Sequence, residues 1–209
     1  MVADSVFNQL KHPNPQMRQR AMTEIVENRD EQTIPTLMAA LGEEDVVYRR
    51  ACVKTLGAVG MDSVPAVVEQ MLNSDNDTVR ASCTKAMAQI AVYHPDEPFP
   101  AEGLEGLRKA MEDPYPVVQI AAVMSMGEIG VPAVETLLET LKTTDNVAIA
   151  LTITNTLGSI GDPRAIEVLK GLIKDESVDS YVRETAESAL PRLEQIMTQR
   201  DAKGSTRNS

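Results

Sequence analysis

The sequence predicts an all-α protein, an α-solenoid (superhelix) of about six stacked helix pairs. The apolar residues are almost all Ala, Val, Leu, Ile and Met, and only 3% of the 209 residues are aromatic, whereas sandwiches and barrels favour aromatic and β-branched residues. One short pattern recurs six times, and a helix-capping residue precedes five of the six copies. Because one amphipathic helix pair cannot bury its apolar stripe alone, neighbouring pairs must stack.

The repeated pattern is an apolar residue, often followed by Arg, then a usually small residue at +4 and Leu, Met or Ile at +8. These three positions lie on one face of a helix, so each copy predicts an inner helix. The intervals between successive starts are 31, 31, 39, 31 and 33, a regularity typical of repeat proteins. The copies begin at Met17, Tyr48, Val79, Val118, Ile149 and Val182.

Each inner helix has start and stop signals. An Asn or Asp side chain three residues before the pattern accepts a hydrogen bond from the first turn, and Pro15 and Pro116 stand where the first helical residue is expected. Glycines are predicted to close the helices, where a left-handed residue is usually needed. The caps are Asn14, Asp45, Asn76, Asn146 and Asp179, with Tyr115 in the other copy, and the glycines are Gly57, Gly60, Gly127, Gly130, Gly158 and Gly161.

Shorter amphipathic segments between the copies predict the outer helices. They are LMAAL, AVVEQML, GLEGLRKAM, VETLLETL and IEVLKGLI, with a first one at about residues 5–11. We therefore predict a single solenoid over residues 1–199 and a disordered, locally basic tail over 200–209. The predicted pairs span residues 4–28, 33–58, 63–92, 102–129, 132–159 and 163–198.

The longest interval carries an insertion of eight residues, which falls within VYHPDEPFPA at 92–101. Three prolines exclude regular helix there. Tyr93 and Phe99 are two of only six aromatic residues in the chain. Exposed aromatic residues on a stiffened loop favour binding, which makes Tyr93, His94 and Phe99 candidate binding residues. The equally weighted alternative is that they fold back and cover the break between the third and fourth pairs.

A second set of candidate binding residues is Arg18, Arg49 and Arg80, each one position after the start of a copy. The functional interpretation is a basic ladder on the inner surface that meets carboxylates of a partner or of a bound ligand. The favoured alternative is an internal ladder, in which each Arg pairs with a capping Asp or Asn carbonyl of its own or the next repeat. Gln119 and Ala150 interrupt the series.

The two cysteines, Cys52 and Cys83, are candidates for a thiol pair that binds a metal, an iron–sulfur cluster or another ligand. Both occupy the +4 position, which holds Ala in three other copies, and a free Cys packs there as a small hydrophobe. Core packing is therefore favoured. HExxH, CxxC and phosphate-loop motifs do not occur in the sequence, so we predict no catalytic residue, no metal site and no resident cofactor.

Charge and hydropathy exclude several classes of partner. The formal net charge is −11, from 20 basic and 31 acidic residues, which counts against nucleic acid because phosphate neutralisation needs a basic surface. No run of 18 apolar residues occurs, so no membrane span is predicted. The first residues lack the features of a signal peptide, and two cysteines suit a reducing compartment. A cytoplasmic location is expected.

Three phrases of the sequence, VRASCTKAMAQIA, RRACVKTLGAVG and LGSIGDPRAIEVLKGLIKDESVDSYVRETAESAL, resemble HEAT repeats of the short E–Z type, known from cyanobacterial phycobilisome-related proteins. The resemblance covers about residues 5–195. That family includes the bilin lyase subunits CpcE and CpcF, phycobilisome-degradation proteins of the NblB type, and IaiH-like proteins linked to iron–sulfur assembly partners. The IaiH-like branch is the most similar.

The resemblance implies one of two functions. The favoured one is a non-catalytic scaffold or adaptor that binds a protein partner along its concave face. The partner is then a phycobiliprotein, a lyase subunit or an iron–sulfur assembly factor. The alternative is one subunit of a heterodimeric phycobilin lyase that holds a linear tetrapyrrole, phycocyanobilin, for attachment to a phycobiliprotein. A second subunit must then complete the site, because this chain shows no convincing acid–base set.

Overall fold

The computed structural model describes residues 4–207, with side chains described through Arg200 and at Ala202. The described residues form twelve α-helices and three short 3-10 helices, with no strand among them, so the predicted all-α fold class is confirmed. The α-helices are α1 (Asp4–Gln9), α2 (Pro15–Glu27), α3 (Thr33–Ala39), α4 (Val46–Val59), α5 (Val64–Asn73), α6 (Asp77–Tyr93), α7 (Ala101–Ala110), α8 (Pro116–Ile129), α9 (Val134–Thr143), α10 (Val147–Ile160), α11 (Arg164–Lys174) and α12 (Ser180–Arg207). The 3-10 helices are Ala40–Gly42, Met61–Ser63 and Val131–Ala133.

The even-numbered helices are the predicted inner helices and the odd-numbered helices are the outer ones. Up to α11, each helix pair begins and ends within two residues of its predicted bounds. Of the helices that the structure describes, none is both long and apolar enough to cross a bilayer on its own. The segments Val46–Val59 and Met61–Asn73 reach that length and hydropathy only when joined across a bend of 116°.

The chain divides into two compact units. Unit 1 (Met1–Glu128) contains α1 to α7 and nearly all of α8, and unit 2 (Ile129–Ser209) contains α9 to α12. Each unit stacks its helix pairs around its own core. The single solenoid over residues 1–199 stays a prediction.

The predicted caps start the inner helices as expected. Four side-chain oxygens accept hydrogen bonds of 2.9–3.0 Å from the backbone N–H two residues later, and Asp179 does the same before α12. Each bond satisfies one of the donors that a helix start leaves without an intrahelical partner. The remaining position, Tyr115, is followed by Pro116 as the first residue of α8. The other four caps are Asn14, Asp45, Asn76 and Asn146.

The core of each unit is built on the repeated pattern. All six residues at +4 are completely buried, and five of the six residues at +8 are too. Burial of the larger side chains at +8 stabilises the folded state by roughly 1.5–3 kcal/mol per residue, and burial of the small residues at +4 by less. The residues at +4 are Ala21, Cys52, Cys83, Ala122, Ile153 and Ala186, and the buried residues at +8 are Ile25, Leu56, Met87, Met126 and Leu157.

The glycines have two different roles, and the sequence predicted only one of them. Gly60, Gly130 and Gly161 have positive φ of 90°, 77° and 67° and follow the inner helices, as predicted. Gly57 and Gly158 lie inside α4 and α10, so the prediction that they close helices is wrong. A Cβ on Gly57 would lie 2.9 Å from the backbone carbon of Gln89, and a Cβ on Gly158 would lie 2.7 Å from the Cβ of Ala189.

These two glycines therefore let adjacent inner helices approach closely, α4 to α6 in unit 1 and α10 to α12 in unit 2. Both stand at +9 in their copies of the pattern, one position beyond the buried +8 residue. Gly127 is also at +9 and lies inside α8 rather than at its end. A hydrogen in place of a methyl group at this position is what permits the short spacing.

The C-terminal helix is longer than predicted. The sequence predicts disorder from residue 200, but α12 continues to Arg207, so the prediction is wrong for residues 200–207. The apolar pattern ends before this stretch, yet it contains Arg, Ala and Lys, which extend an existing helix at little cost because nucleation has already occurred. Residues 208–209 lie outside the described residues.

Candidate functional site

The arginines predicted to form a basic ladder donate hydrogen bonds inside unit 1. In each case the guanidinium Nη1 donates to the backbone carbonyl oxygen six positions earlier, in the turn after the preceding outer helix. Such carbonyls lack intrahelical partners. The hydrogen bonds are thus internal, as in the favoured alternative, but the acceptors are not carbonyls of capping Asp or Asn residues. A role of these arginines in binding stays a prediction. The three bonds join Arg18 to His12 (2.6 Å), Arg49 to Glu43, and Arg80 to Ser74 (2.8 Å).

Arg80 is the most constrained of the three. Its Nε and Nη2 donate to the two carboxylate oxygens of Asp113 at 2.7 and 3.1 Å, and the two side chains are only 9% and 8% exposed. The ring of Tyr115 lies 5.4 Å from the guanidinium carbon. The Asp113 hydrogen bonds raise the pKa of Arg80 further above its ordinary value. Arg80 therefore joins the third and fourth repeats, and a further role in binding stays a prediction.

The segment 92–101 folds back onto other helices of unit 1. Its ends are helical, since Tyr93 ends α6 and Ala101 begins α7, so the prediction that prolines exclude regular helix holds only for residues 94–100. The hydroxyl of Tyr93 lies 3.8 Å from the sulfur of Met22 on α2. His94 Nδ1 is 2.8 Å from a carboxylate oxygen of Glu97, and its ring lies against the backbone of Gly60.

Phe99 lies against Gly103 at the start of α7, where a Cβ would come within 2.7 Å of the phenyl ring. Each of the three candidate residues of the insertion thus has a packing contact, but Tyr93 and His94 reach the first and second pairs rather than the break between the third and fourth. A further role of Tyr93, His94 and Phe99 in binding stays a prediction.

A groove that the sequence did not predict runs across the exposed faces of α4, α6 and α8. We call it the inner groove. It has a volume of about 520 Å³, and all of its lining belongs to unit 1. Its charged lining residues are Arg49, Arg50, Lys54, Lys85 and one carboxylate, Glu128, and its most exposed apolar residues are Val92 and Met124.

A second hollow of about 460 Å³ lies between α2 and α4 and continues the inner groove. The two share Arg50 and Lys54 in their linings. The hollow adds Arg18 and Met22. Basic side chains therefore follow the inner surface of unit 1 from α2 to α6.

Three of these cations have no anionic partner in the part of the chain that the structure describes. Among the described residues, no carboxylate lies within ion-pair distance of Arg50, Lys54 or Lys85, and Lys54 Nζ donates only to the amide oxygen of Gln19, at 3.1 Å. The ion pairs of unit 1 lie elsewhere, for example at Arg29–Asp62, Arg80–Asp113 and Arg108–Glu105. Unit 1 has 19 acidic residues against 11 basic ones. The lack of a carboxylate beside these cations is therefore not caused by a shortage of acidic residues in unit 1.

Sequence reasoning missed these residues because it followed positions that recur. The exposed faces of the inner helices carry the +2, +6 and +10 positions, and their residues change from copy to copy. Position +6 holds Lys54 and Lys85 in consecutive copies, and none of the residues three or four positions away from either lysine is acidic. An acidic neighbour at that spacing would pair with a surface lysine on the same helix. Aligning the copies and searching for this missing neighbour would have identified the groove.

The corresponding face of unit 2 has a different character. A shallow hollow of about 460 Å³ lies between α10 and α12, and none of its six lining side chains is basic. Asn155 occupies position +6 there and accepts hydrogen bonds from Arg192 Nη2 through its backbone oxygen at 3.0 Å and its side-chain oxygen at 3.3 Å. The lining residues are Leu151, Asn155, Tyr181, Glu184, Thr185 and Ser188.

The cysteines belong to the core. Cys52 and Cys83 are free and completely buried, as predicted. Burial raises the pKa of each thiol to about 12, so neither supplies a thiolate near neutral pH. Within the described part of the chain, no group of three or more His, Cys, Asp or Glu side chains is arranged to hold a metal ion.

Comparison with known proteins identifies the family. The model of HEAT repeats matches residues 3–88 and 104–191. The chain is 55% identical over 196 residues to the "Uncharacterized phycocyanin operon protein Z" of Pseudanabaena tenuis (strain PCC 7409), covering 94% of this chain and 97% of that protein. It is 28% identical over 182 residues to the "Bilin biosynthesis protein CpeZ" of Synechococcus sp. (strain WH8020), covering 84% and 97%.

Among solved structures, the complex of CpcE and CpcF of phycocyanin lyase from Nostoc sp. PCC7120 has a TM-score of 0.48 to this chain at 18% identity, covering 73% of this chain and 95% of the other. The matched repeats and the two relatives confirm, at the level of the family, the resemblance to HEAT-repeat proteins of phycobilisome biology. The assignment to an IaiH-like branch stays a prediction. With repeats matched over most of its length, the chain belongs to the HEAT-repeat family.

Proposed function

We propose that this chain is a non-catalytic HEAT-repeat binding protein that acts in the bilin-related assembly of phycobiliproteins and holds a protein partner on the inner surface of unit 1. The observation that carries the proposal is the inner groove, with three exposed cations that have no carboxylate partner among the described residues. The names of the two curated relatives, a phycocyanin operon protein and a bilin biosynthesis protein, support the process in which it acts.

The chemistry of the groove suits binding. Guanidinium and ammonium groups at Arg50, Lys54 and Lys85 attract carboxylates, and the exposed sides of Val92 and Met124 offer apolar area next to them. The remaining surface of this acidic chain repels acidic partners, so an acidic partner is guided to the groove and away from other faces. The names of the relatives favour a phycobiliprotein or a bilin lyase subunit as partner over an iron–sulfur assembly factor.

The test uses the full chain with purified apo-phycocyanin subunits and, separately, with purified bilin lyase subunits. Co-elution in size-exclusion chromatography and a dissociation constant from calorimetry are measured. We expect a complex with at least one of these proteins, and the triple variant Arg50→Gln, Lys54→Gln, Lys85→Gln should weaken it at least tenfold, since each exposed charge contact contributes a factor of about two or three. If none of these proteins binds, the proposal is wrong.

A matched control removes three positive charges outside the groove. Lys142, Lys170 and Lys174 lie on the outer helices α9 and α11 of unit 2. Their replacement by Gln changes the net charge as much as the groove variant does. This control should leave the complex intact, and equal weakening by both variants would mean that net charge, not the groove, governs binding.

A second candidate function is a lyase subunit that holds phycocyanobilin. The inner groove also favours this function because it places cations beside exposed apolar side chains. A linear tetrapyrrole with propionate groups presents carboxylates on an apolar body. The full chain is mixed with phycocyanobilin, with and without apo-phycobiliprotein, and the visible absorbance is recorded. A shift of the bilin bands that disappears in the triple Gln variant supports this candidate. Unchanged spectra in both mixtures exclude it.

A further inference from the structure

We propose that the inner groove receives an acidic α-helical segment of the partner, with carboxylates on two successive heptads and an apolar side chain on the third. This inference rests on the proposed function and names the chemistry of the partner at the same site. It follows from three properties of position +6: the identity of its residues, their spacing and their surroundings.

Position +6 forms a row across the groove. It holds Lys54 on α4, Lys85 on α6 and Met124 on α8. The three helices are neighbours, since the backbone of Gly57 on α4 lies against Gln89 on α6, and Ser125 Oγ on α8 donates to the carbonyl oxygen of Thr84 on α6 at 2.6 Å. Equivalent positions on neighbouring packed helices are about 8–10 Å apart.

That interval matches the repeat of an α-helix laid across the row. Seven residues of a helix rise about 10.5 Å and return to nearly the same face. An extended chain places its same-face residues about 7 and 13 Å apart, and so misses the interval. A helical segment with acidic residues at positions i and i+7 therefore meets Lys54 and Lys85 together.

The charges favour an acidic occupant. Arg50 lies one turn from Lys54 on α4, so two cations face the first carboxylate. The described residues provide no carboxylate to neutralise Arg50, Lys54 or Lys85. An incoming carboxylate would thus gain an ion pair without having to displace an internal one.

The far end of the row determines which end of the segment should be apolar. Met124 is 61% exposed and Val92 is 50% exposed, and both line the groove. Glu128, one turn beyond Met124 on α8, is the only carboxylate among the described lining residues and repels an acidic residue there. The third heptad should therefore carry Leu or another apolar residue, which buries both side chains.

The probe that tests this inference is a fluorescein-labelled helical peptide that spans three heptads, with the pattern Glu-x6-Glu-x6-Leu on one face. The comparison peptide has the same composition, with the second Glu and the Leu moved to the opposite face. Fluorescence anisotropy with the full chain is measured at about 50 and about 200 mM salt, concentrations between which exposed charge contacts become more strongly screened. We expect the patterned peptide to bind at least tenfold more tightly than the comparison peptide and to weaken with salt.

Two variants locate the site. The double variant Lys54→Gln, Lys85→Gln should weaken binding of the patterned peptide about fivefold, and Met124→Gln about threefold, by loss of apolar contact. The control Lys142→Gln, Lys174→Gln should bind as the unaltered chain does. None of these side chains belongs to the buried core, and circular dichroism confirms that each variant is folded before it is assayed.

Three outcomes overturn the inference. The two peptides bind equally well, the Lys54 and Lys85 double variant binds the patterned peptide as the unaltered chain does, or the Lys142 and Lys174 control variant weakens its binding as much as the double variant does. Equal binding of the two peptides would indicate non-specific attraction of any polyanion.

The failure of the proposed function would give a different result. If the patterned peptide binds but no phycobiliprotein or lyase subunit does, the groove chemistry is right and the assigned process is wrong. If those proteins bind but the peptide does not, only the helical segment is wrong.

Discussion

The inner faces of units 1 and 2 differ in chemistry although their helices pack alike. Unit 1 is the more acidic, with 19 acidic and 11 basic residues against 12 and 9 in unit 2. Even so, it is unit 1 that lines its inner groove with Arg50, Lys54 and Lys85, whereas Asn155 and Ser188 stand at position +6 in unit 2. The net charge of a repeat unit thus does not indicate the charge of its binding face.

The two units share their packing rules. In both, position +4 is completely buried, and a glycine at +9 lets one inner helix approach the next. The residues that differ stand at +2, +6 and +10, on the exposed faces. One set of positions therefore builds the stack, and a separate set gives the inner face of each unit its charge and polarity.

The largest expected effect comes from Asp113→Ala, which removes the carboxylate partner of the buried Arg80 in unit 1. In unit 2, the first inner helix, α10, has Ala150 at the position of the pattern that Arg80 occupies in α6. Loss of the carboxylate leaves the buried guanidinium without its anionic partner and with the Ser74 carbonyl as acceptor, which should lower the free energy of unfolding by about 3 kcal/mol. Urea denaturation measures this change.

Thiol labelling gives the same prediction a readout confined to unit 1, because both cysteines belong to it. Cys52 and Cys83 are buried with pKa values raised to about 12, so they react with Ellman's reagent only after opening. A loss of about 3 kcal/mol should speed labelling about 100-fold. The control is Arg108→Ala, which removes an exposed pair on α7. If both variants label at the same rate, the Arg80–Asp113 pair is not a structural element of unit 1.

The second effect tests the packing that the units share. Gly57→Ala and Gly158→Ala each place a methyl group into a neighbouring helix. Overpacking costs about 1–3 kcal/mol, and the better helix propensity of Ala offsets about 0.5–1 kcal/mol of that. We expect each variant to lose about 1–2 kcal/mol of unfolding free energy, measured by thermal denaturation.

Hydrogen exchange should locate the two losses, in α4 and α6 for Gly57→Ala and in α10 and α12 for Gly158→Ala. Gly171, whose Cβ would meet nothing within 4 Å, is the control, and Gly171→Ala should be neutral or stabilising. Stabilisation by Gly57→Ala or Gly158→Ala would contradict the close approach of the inner helices.

The smallest effect concerns the turns after α4 and α10. Asp162 is buried, and its Oδ1 accepts hydrogen bonds from the side chain and backbone N–H of Arg164 at 2.8 and 3.0 Å. These bonds lower the pKa of the carboxyl group. Its contribution is therefore present above the ordinary pKa and is lost as the pH falls through the lower value in the folded state.

Asp162→Asn should cost about 1 kcal/mol at pH 7, since the Arg164 side chain is 45% exposed and solvent screens its charge. The difference from the unaltered chain should shrink as the pH falls below the ordinary pKa of an aspartate, which denaturation at several pH values measures. In unit 1, Asp62 is 69% exposed, and Asp62→Asn should change stability by less than about 0.5 kcal/mol. A pH-independent effect of Asp162→Asn would show that the charge is not responsible.

The features that recur in every copy of the pattern could be predicted from the sequence, whereas those that vary between copies were missed. Buried positions repeat at a nearly constant interval, and the caps such as Asp45 repeat with them, so the helices, their starts and the burial of Cys52 could be predicted. The role of Gly57 could not, because a close helix approach and a helix end both favour glycine. Lys54 and Lys85 were missed because solvent-facing positions carry no periodic constraint. The extension of α12 was missed because polar helix formers give no apolar pattern.

The separation of packing positions from surface positions has a consequence for how such a protein diversifies. An exchange at +6 changes the binding face without touching a side chain at +4, +8 or +9, so it should leave the folded population almost unaltered. A duplicated copy of the array could therefore acquire a new partner through a few surface substitutions, each of them tolerated on the way. The spacing of the copies would be inherited unchanged, while the residues of the row from Lys54 to Met124 would accumulate substitutions.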